Sequence, residues 1–161
     1  MSASDVQDID ELRDLYRELI LDHAKSPRHF GKLVDATHTA DGINPLCGDK
    51  LKLYLRLDST RKITAASFEG SGCAISVASA SLLTDTIIGL PVQHALVYFK
   101  AITGRLTHTE RCDEMTEAVD VGKLRALDGV RDFPARVKCA TLAWHALNSA
   151  IHQHSTPAST E

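Results

Sequence analysis

Hydrophobic and polar residues alternate with a period of two along one segment of the chain. Residues 51–57 read LKLYLRL, with leucine at every second position, and this alternation predicts a half-buried β-strand. A turn at 58–61 and a return strand at 62–70 would complete an antiparallel hairpin, and 38–44 is a candidate third strand. The pattern therefore predicts a small antiparallel sheet of three strands.

Apolar residues follow a helical spacing along much of the remaining chain. From Val6 to Lys25 they recur at intervals of three and four residues, which predicts an amphipathic helix that Pro27 prevents from continuing. Three further helices are predicted to begin at or next to Cys73, Pro91 and Pro134. The second of these is expected to end near Thr103, because Gly104 follows it.

The elements fit one domain. The chain has 161 residues, which is the length of a single ordinary domain. Residues 105–132 are rich in charge with one short apolar set, which predicts a short helix within a long connection. We expect residues 1–152 to form one α+β domain, a three-stranded antiparallel sheet packed with helices, and the polar tail 153–161 to be disordered.

Composition and charge argue against several classes of function. The 18 basic and 21 acidic residues give a formal net charge of −3, and aromatic residues make up only 5%. A nucleic-acid binding protein usually carries a basic patch or aromatic stacking platforms, so nucleic acid is not an expected partner. No apolar run is long enough for a membrane span and the acidic start does not resemble a signal peptide, so we expect a cytoplasmic protein without a membrane partner.

The cysteines are the residues with the clearest chemical potential. Four cysteines in a cytoplasmic chain indicate thiolate chemistry or metal binding rather than disulfides. Cys47 lies two positions before Asp49, and in an extended chain such residues share a face. Cys73 is expected at a helix start, and Cys139 lies in the first turns of the last helix near two cations, both of which are settings that stabilise a thiolate.

Three thiolates and one carboxylate would make a four-coordinate site for zinc or an iron-sulfur cluster. The spacing of the cysteines matches no zinc-finger pattern, so this prediction depends on the setting of each residue. The simpler alternatives are that each cysteine is a small buried apolar residue and that Asp49 serves as a turn or cap residue. Cys112 has acidic neighbours that raise a thiol pKa, and we do not expect it to be a ligand.

Three cysteine motifs occur in an order that is typical of one known family. The matching segments are Tyr16-Arg17, Asp22-His23, Pro27-Arg28 and the motifs NPLCGD, GSGCAISVASAS and ARVKCATLAW. Together they resemble the U-type iron-sulfur cluster assembly scaffold family, which includes IscU and the N-terminal part of NifU. Lys138 replaces the histidine of IscU-type members and the 90–133 region is long, so the chain is most similar to the SUF branch, SufU. His29 departs from the asparagine that is common in the family.

The resemblance implies a SufE/NifU-like fold and a zinc-dependent sulfurtransferase. It implies that the chain takes persulfide sulfur from a pyridoxal-phosphate-dependent, SufS-like cysteine desulfurase and passes it to a downstream cluster scaffold or to apoproteins. Cys47 would be the sulfur acceptor, and Arg136 would support docking or attract the persulfide anion. The implied zinc ligands are Cys47, Asp49, Cys73 and Cys139.

Three alternatives remain open at this stage. The same four ligands would hold a nascent [2Fe-2S] or [4Fe-4S] cluster if the chain is a true scaffold. A cysteine hydrolase would use Cys73 with His94 or His145 as its base, although Asp49 and the other cysteines would then have no role. A structural zinc module would have a closed and inert site.

Overall fold

The computed structural model describes residues 16–107, 121–153 and 158–159. The first helix, α1, covers 16–25 of the described part, and the portion of the predicted helix before residue 16 lies outside it. The other elements are β1 His38–Asn44, β2 Asp49–Leu57, β3 Ile63–Ser71, α2 Ala74–Ile87, α3 Val92–Thr107, a 3₁₀ helix Gly122–Val130, α4 Pro134–Ile151 and β4 Ala158–Ser159.

The predicted three-stranded antiparallel sheet is confirmed. The strand order is β3-β2-β1-β4, and both β1 and β3 run antiparallel to the central strand β2. Leu51, Leu53 and Leu55 of β2 are buried, as the alternation predicts. The register of the β1–β2 hairpin ends with Asn44 opposite Asp49, which leaves the turn 45–48 beyond the end of the sheet.

Two residues of the tail extend the sheet. Ala158 and Ser159 pair in parallel with Gly42 and Ile43 of β1, so the predicted disorder of 153–161 is wrong for these two residues. A physical reason is that an edge strand presents unpaired backbone N–H and C=O groups, which a passing segment satisfies whatever its composition. Residues 154–157, 160 and 161 lie outside the described part of the chain.

Helices α2 and α4 cover the buried face of the sheet. Helix α4 packs against β1 and β2, while α2 packs against β3 and against α4. A Cβ atom added at Gly42 would lie 3.2 Å from Cδ1 of Leu142, which shows how closely α4 crosses β1. This close packing brings the first turns of α4 to the end of the sheet where the β1–β2 turn lies. Among the described helices, none is long and apolar enough to cross a bilayer.

Helix α3 continues past the glycine that was expected to end it. It runs through Gly104 to Thr107, and Leu106 in this extension is fully buried. Both nitrogens of the Arg105 guanidinium that face Asp128 lie 2.6 Å from its carboxylate oxygens. A glycine within a helix costs about 1 kcal/mol, whereas burial of a leucine contributes about 1.5–3 kcal/mol, so packing outweighs local propensity here.

The long connection after α3 contains the predicted short helix. It is the 3₁₀ helix Gly122–Val130, whose Leu124 and Leu127 are buried against the core. Residues 108–120, which include Cys112, lie outside the described residues.

Candidate metal centre

The four ligands predicted from the sequence lie on separate elements that meet at one end of the sheet. They are Cys47 in the 45–48 turn, Asp49 at the start of β2, Cys73 directly before α2 and Cys139 in the second turn of α4. The predicted helix start at Cys73 is confirmed, because this residue is the N-cap of α2. Pro134 opens α4 as expected, which sets Cys139 facing the interior.

The turn between β1 and β2 presents Cys47 to solvent. The Asn44 carbonyl accepts hydrogen bonds from the Cys47 N–H at 3.3 Å and from the Gly48 N–H at 2.9 Å, which close the turn. Gly48 has a φ of +72°, a conformation that residues with a Cβ rarely adopt. The sequence placed Cys47 and Asp49 close together because alternate residues of an extended chain share a face. The two residues are close, but the turn brings them together, so the predicted reason is wrong.

Three of the four predicted ligands form a compact group. Within the described part of the chain, the ligand atoms of Cys47, Asp49 and Cys139 all lie within 4.8 Å of one another. The Sγ atoms of Cys47 and Cys139 are 3.6 Å apart. Two thiolates bound at 2.3 Å to one tetrahedral zinc ion lie roughly 3.8 Å apart, so this spacing suits a shared metal ion.

Cys73 lies beside this group rather than inside it. Its thiol is half-buried and close enough to Cys139 to raise the pKa of that thiol. The Cys73 backbone N–H donates a hydrogen bond to Asp49 Oδ1 at 3.0 Å. The Asp49 carboxylate therefore accepts a bond from the N-terminus of α2, while its ligand oxygen lies in the compact group with the two thiols.

Gly72 gives the Asp49 carboxylate its space. A Cβ atom added at Gly72 would lie 2.7 Å from Asp49 Oδ1, closer than real Cβ atoms approach, and 3.2 Å from its Cγ, which is tighter than most real Cβ contacts. Asp49 is itself buried, so its side chain has little room to move away. The sequence signal for this requirement was the glycine before Cys73 in the GSGC motif.

Burial sets the electrostatics of Cys139. Desolvation raises the pKa of the Cys139 thiol, and the neighbouring groups Asp49, Cys47 and Cys73 raise it further. The prediction that nearby cations would stabilise a Cys139 thiolate is wrong, because burial and its neighbours raise the pKa of this thiol. Arg136 is exposed and Lys138 is half-buried, and neither offsets that effect.

The sulfur and oxygen atoms that would bind a metal at this site are stabilised together only when a cation lies near them. Several thiolates and a carboxylate repel one another when they are close and buried, and a divalent cation removes that repulsion. Sulfur and carboxylate oxygen are donors that zinc and iron-sulfur clusters both accept. The residues present therefore fit a soft or borderline metal.

Asn44 is a part of the site that the sequence reasoning missed. Its side chain is buried, and its Nδ2 lies 3.5 Å from Asp49 Oδ2 and 3.6 Å from Cys139 Sγ. The available signal was its position in β1. It shares the buried face of that strand with Ala40 and Gly42, where a polar amide is unusual.

The two histidines of the hydrolase alternative have other contacts. The His145 ring packs against Phe99 with ring centroids 5.5 Å apart, and burial lowers the pKa of His145. The His94 ring lies 5.4 Å from that of Tyr98. Among the described residues, no hydrogen bond joins either histidine to Cys73, so the geometry gives this alternative no support.

Comparison with known proteins identifies the family. The sequence profile of the NifU-like N-terminal domain matches residues 15–140, which is most of the chain and includes all four predicted ligands. The chain belongs to this family of iron-sulfur cluster assembly proteins.

Individual relatives agree with this membership. The chain is 43% identical over 140 residues to the zinc-dependent sulfurtransferase SufU of Bacillus subtilis (strain 168), with 87% of this chain and 91% of the relative covered. It is 38% identical over 143 residues to the iron-sulfur cluster assembly scaffold protein IscU of Streptococcus pyogenes serotype M1, with 89% and 86% covered.

A solved structure supports the fold. A protein of Fervidobacterium islandicum AW-1, described as a candidate iron-sulfur cluster assembly scaffold for the SUF system, aligns with a TM-score of 0.71 at 34% identity. The alignment covers 83% of this chain and 94% of that one. The α+β fold expected from the sequence is thus confirmed.

Proposed function

We propose that this protein is a zinc-binding sulfur acceptor of iron-sulfur cluster assembly. It takes persulfide sulfur from a pyridoxal-phosphate-dependent cysteine desulfurase of the SufS type and passes it to a downstream scaffold or apoprotein. Cys47, Asp49, Cys73 and Cys139 are the proposed zinc ligands. The observation that carries the proposal is an exposed cysteine, Cys47, with its sulfur 3.6 Å from that of the buried Cys139.

Exposure distinguishes Cys47 from the other cysteines that the structure describes. A persulfide on an enzyme cysteine is delivered by a bulky protein, so the accepting sulfur must be reachable from outside. Cys47 is exposed, Cys73 is half-buried and Cys139 is buried. Cys47 also lies on a turn beyond the paired strands, so its side chain is able to turn outward while β1 and β2 stay in place.

The transfer is a thiol exchange that balances without an oxidant. The Cys47 thiolate attacks the terminal sulfur of the donor persulfide and forms a new S–S bond. The S–S bond of the donor breaks, and its cysteine leaves as a thiolate that takes up a proton. Zinc, when bound, keeps cysteine sulfurs in the thiolate form at neutral pH.

The surroundings of Cys47 assist this step in two ways. The Asn44 carbonyl holds the backbone of the turn that carries Cys47. Arg136 is exposed on the first turn of the helix that carries Cys139, and its positive charge would attract a persulfide anion or an acidic partner surface. The Bacillus subtilis relative is a zinc-dependent sulfurtransferase, which supports the same activity for this protein.

Sulfide production tests the proposal. A cysteine desulfurase would be assayed with cysteine and a reductant, with and without the zinc-loaded protein, its Cys47→Ala variant and Cys112→Ser as the matched control. We expect strong stimulation by the wild-type and Cys112→Ser proteins and none by Cys47→Ala. Stimulation by Cys47→Ala would overturn the assignment of the acceptor.

A scaffold function is the second candidate. The same four side chains match the donors of an iron-sulfur cluster, and the Streptococcus pyogenes relative is named as a scaffold protein. The two functions differ in the assay above. A protein that gives no stimulation, but on which a cluster assembles readily in the metal-free form, is a scaffold.

A further inference from the structure

Asn44 makes more contacts with the metal centre than any role in the strand requires. It is the last residue of β1 and is fully buried, although asparagine is usually exposed. Its side-chain Nδ2 lies 3.5 Å from the carboxylate of Asp49 and 3.6 Å from the sulfur of Cys139. One amide group therefore faces two of the proposed ligands at once.

The chemistry of these neighbours fixes the orientation of the amide. A carboxylate and a thiolate accept hydrogen bonds, so the NH₂ group is attracted to them and the amide oxygen would be repelled. The Oδ1 atom is buried and has no hydrogen-bond partner among the described residues. A buried amide oxygen without a partner costs free energy, and the contacts of the NH₂ group with Asp49 and Cys139 help to offset that cost.

The backbone of the same residue holds a third proposed ligand. The Asn44 carbonyl accepts the N–H groups of Cys47 and Gly48 and so fixes the turn on which the exposed thiol lies. The side chain of Asn44 thus contacts two buried proposed ligands, Asp49 and Cys139. Its main chain holds the turn that carries the exposed proposed ligand, Cys47.

We propose that Asn44 is a positioning residue of the metal centre. Its amide holds the Asp49 carboxylate and the Cys139 thiolate as a rigid pair of ligands, and its carbonyl tethers the turn that carries Cys47. The identity of the ligands rests on the function proposed above.

Metal binding by Asn44 variants tests this role without any activity assay. Asn44→Asp keeps the shape but replaces the donor by an acceptor, and Asn44→Ser is a smaller variant that retains a hydroxyl. Asn148→Asp on α4 is the matched control, since it makes the same substitution at a half-buried position. Partners of metal ligands typically contribute 10–100-fold to affinity, so we expect about that loss of zinc affinity in Asn44→Asp, a smaller loss in Asn44→Ser and none in the control.

Cobalt provides a readout that a purely structural role would not change. We expect the visible spectrum of the Co²⁺-loaded protein to shift in both Asn44 variants, because the geometry and charge of its ligands change, and to be unchanged in Asn148→Asp. Circular dichroism of each protein establishes that it is folded. If Asn44→Asp does not fold, Asn44→Ser decides the question alone.

The outcomes separate this inference from the proposed function. Zinc affinities and cobalt spectra of folded Asn44 variants that match the wild-type values would overturn the role of Asn44, whatever the sulfur-transfer assay gives. A wild-type protein that binds zinc but does not accept sulfur would overturn the proposed function, while the comparison of Asn44 variants would still measure the positioning role.

Discussion

Cys47 and Cys139 have the same side chain, but Cys47 is exposed to solvent and Cys139 is buried. This difference suits the two cysteines to different roles. The sulfur of Cys139 is buried, where ionisation needs a nearby cation, and the sulfur of Cys47 is exposed, where a partner can reach it. In the proposed function, one site therefore joins a cysteine suited to hold a metal with a cysteine suited to react. A carboxylate oxygen of Asp49 lies within 4.8 Å of both sulfurs, and this carboxylate accepts the Cys73 N–H at the start of α2.

Gly72→Ala tests how tightly Asp49 is held. The new Cβ would lie 2.7 Å from Asp49 Oδ1, so the carboxylate must shift out of place. We expect zinc affinity to fall by at least about tenfold, because a displaced ligand loses its geometry. Competition with a chelating dye measures this affinity.

Gly129→Ala is the control for this substitution. A Cβ at Gly129 meets nothing within 4 Å, and we expect wild-type zinc affinity. Equal affinities of the two variants would show that Asp49 is not a ligand or is free to relocate.

Zinc binding is expected to release protons, and the proton of Cys139 is one of them. Since burial raises the pKa of this thiol, it is protonated at neutral pH in the metal-free protein, and it must lose that proton to bind metal. Zinc affinity should therefore increase as the pH rises from 6 to 8. Calorimetry in buffers of different ionisation enthalpy counts the protons, and we expect fewer from Cys139→Ser. A binding enthalpy that is the same in all buffers would contradict this account.

At the scale of secondary-structure elements, α1 is joined to α2 by a buried histidine. His23 Nδ1 lies 2.7 Å from Ser81 Oγ, and the same hydroxyl accepts the Arg28 N–H at 2.8 Å. Burial is the main reason that the pKa of His23 is lowered, and the charge of Arg28 contributes to the same effect. The contact between α1 and α2 therefore favours the neutral form of the His23 imidazole.

Acid should weaken this contact between α1 and α2 and so lower the stability of the protein. A lowered pKa in the folded state means that His23 favours folding fully above the unfolded-state pKa of about 6.5 and loses this contribution as the pH falls. We expect the drop in melting temperature between pH 7.5 and pH 5 to be roughly 2–4 °C smaller in His23→Gln than in the wild type. Thermal denaturation measures it, and the exposed His94→Gln is the control. A fall in melting temperature as large in His23→Gln as in the wild type would show that protonation of His23 does not cause the loss of stability in acid.

The elements that the sequence predicted well are those whose burial follows a local pattern. Alternation identified β2 because Leu51, Leu53 and Leu55 face one core, and proline identified the start of α4 because its ring favours the first helical position. The end of α3 was predicted wrongly because Gly104 is a local signal in the sequence. The helix continues past it because Leu106 is buried, and this burial depends on tertiary packing.

At the scale of the whole molecule, the fold assembles the centre from distant parts of the chain. The predicted setting of each residue and the resemblance to a known family pointed to Cys47, Asp49, Cys73 and Cys139. The structure brings three of them into one group with the fourth beside it. The sequence could not reveal that Cys139 is deeply buried or that Asn44 faces it. Both facts depend on how α4 crosses the end of β1, which no local pattern encodes.

A direct test of the central claim is to locate the transferred sulfur. The zinc-loaded protein would be mixed with a cysteine desulfurase and cysteine without reductant, quenched with an alkylating agent and digested for mass spectrometry. We predict one extra sulfur atom on the peptide that contains Cys47, and no such adduct on this peptide from Cys47→Ala. Extra sulfur on Cys73, Cys112 or Cys139 with an unmodified Cys47, or on no cysteine at all, would contradict the account.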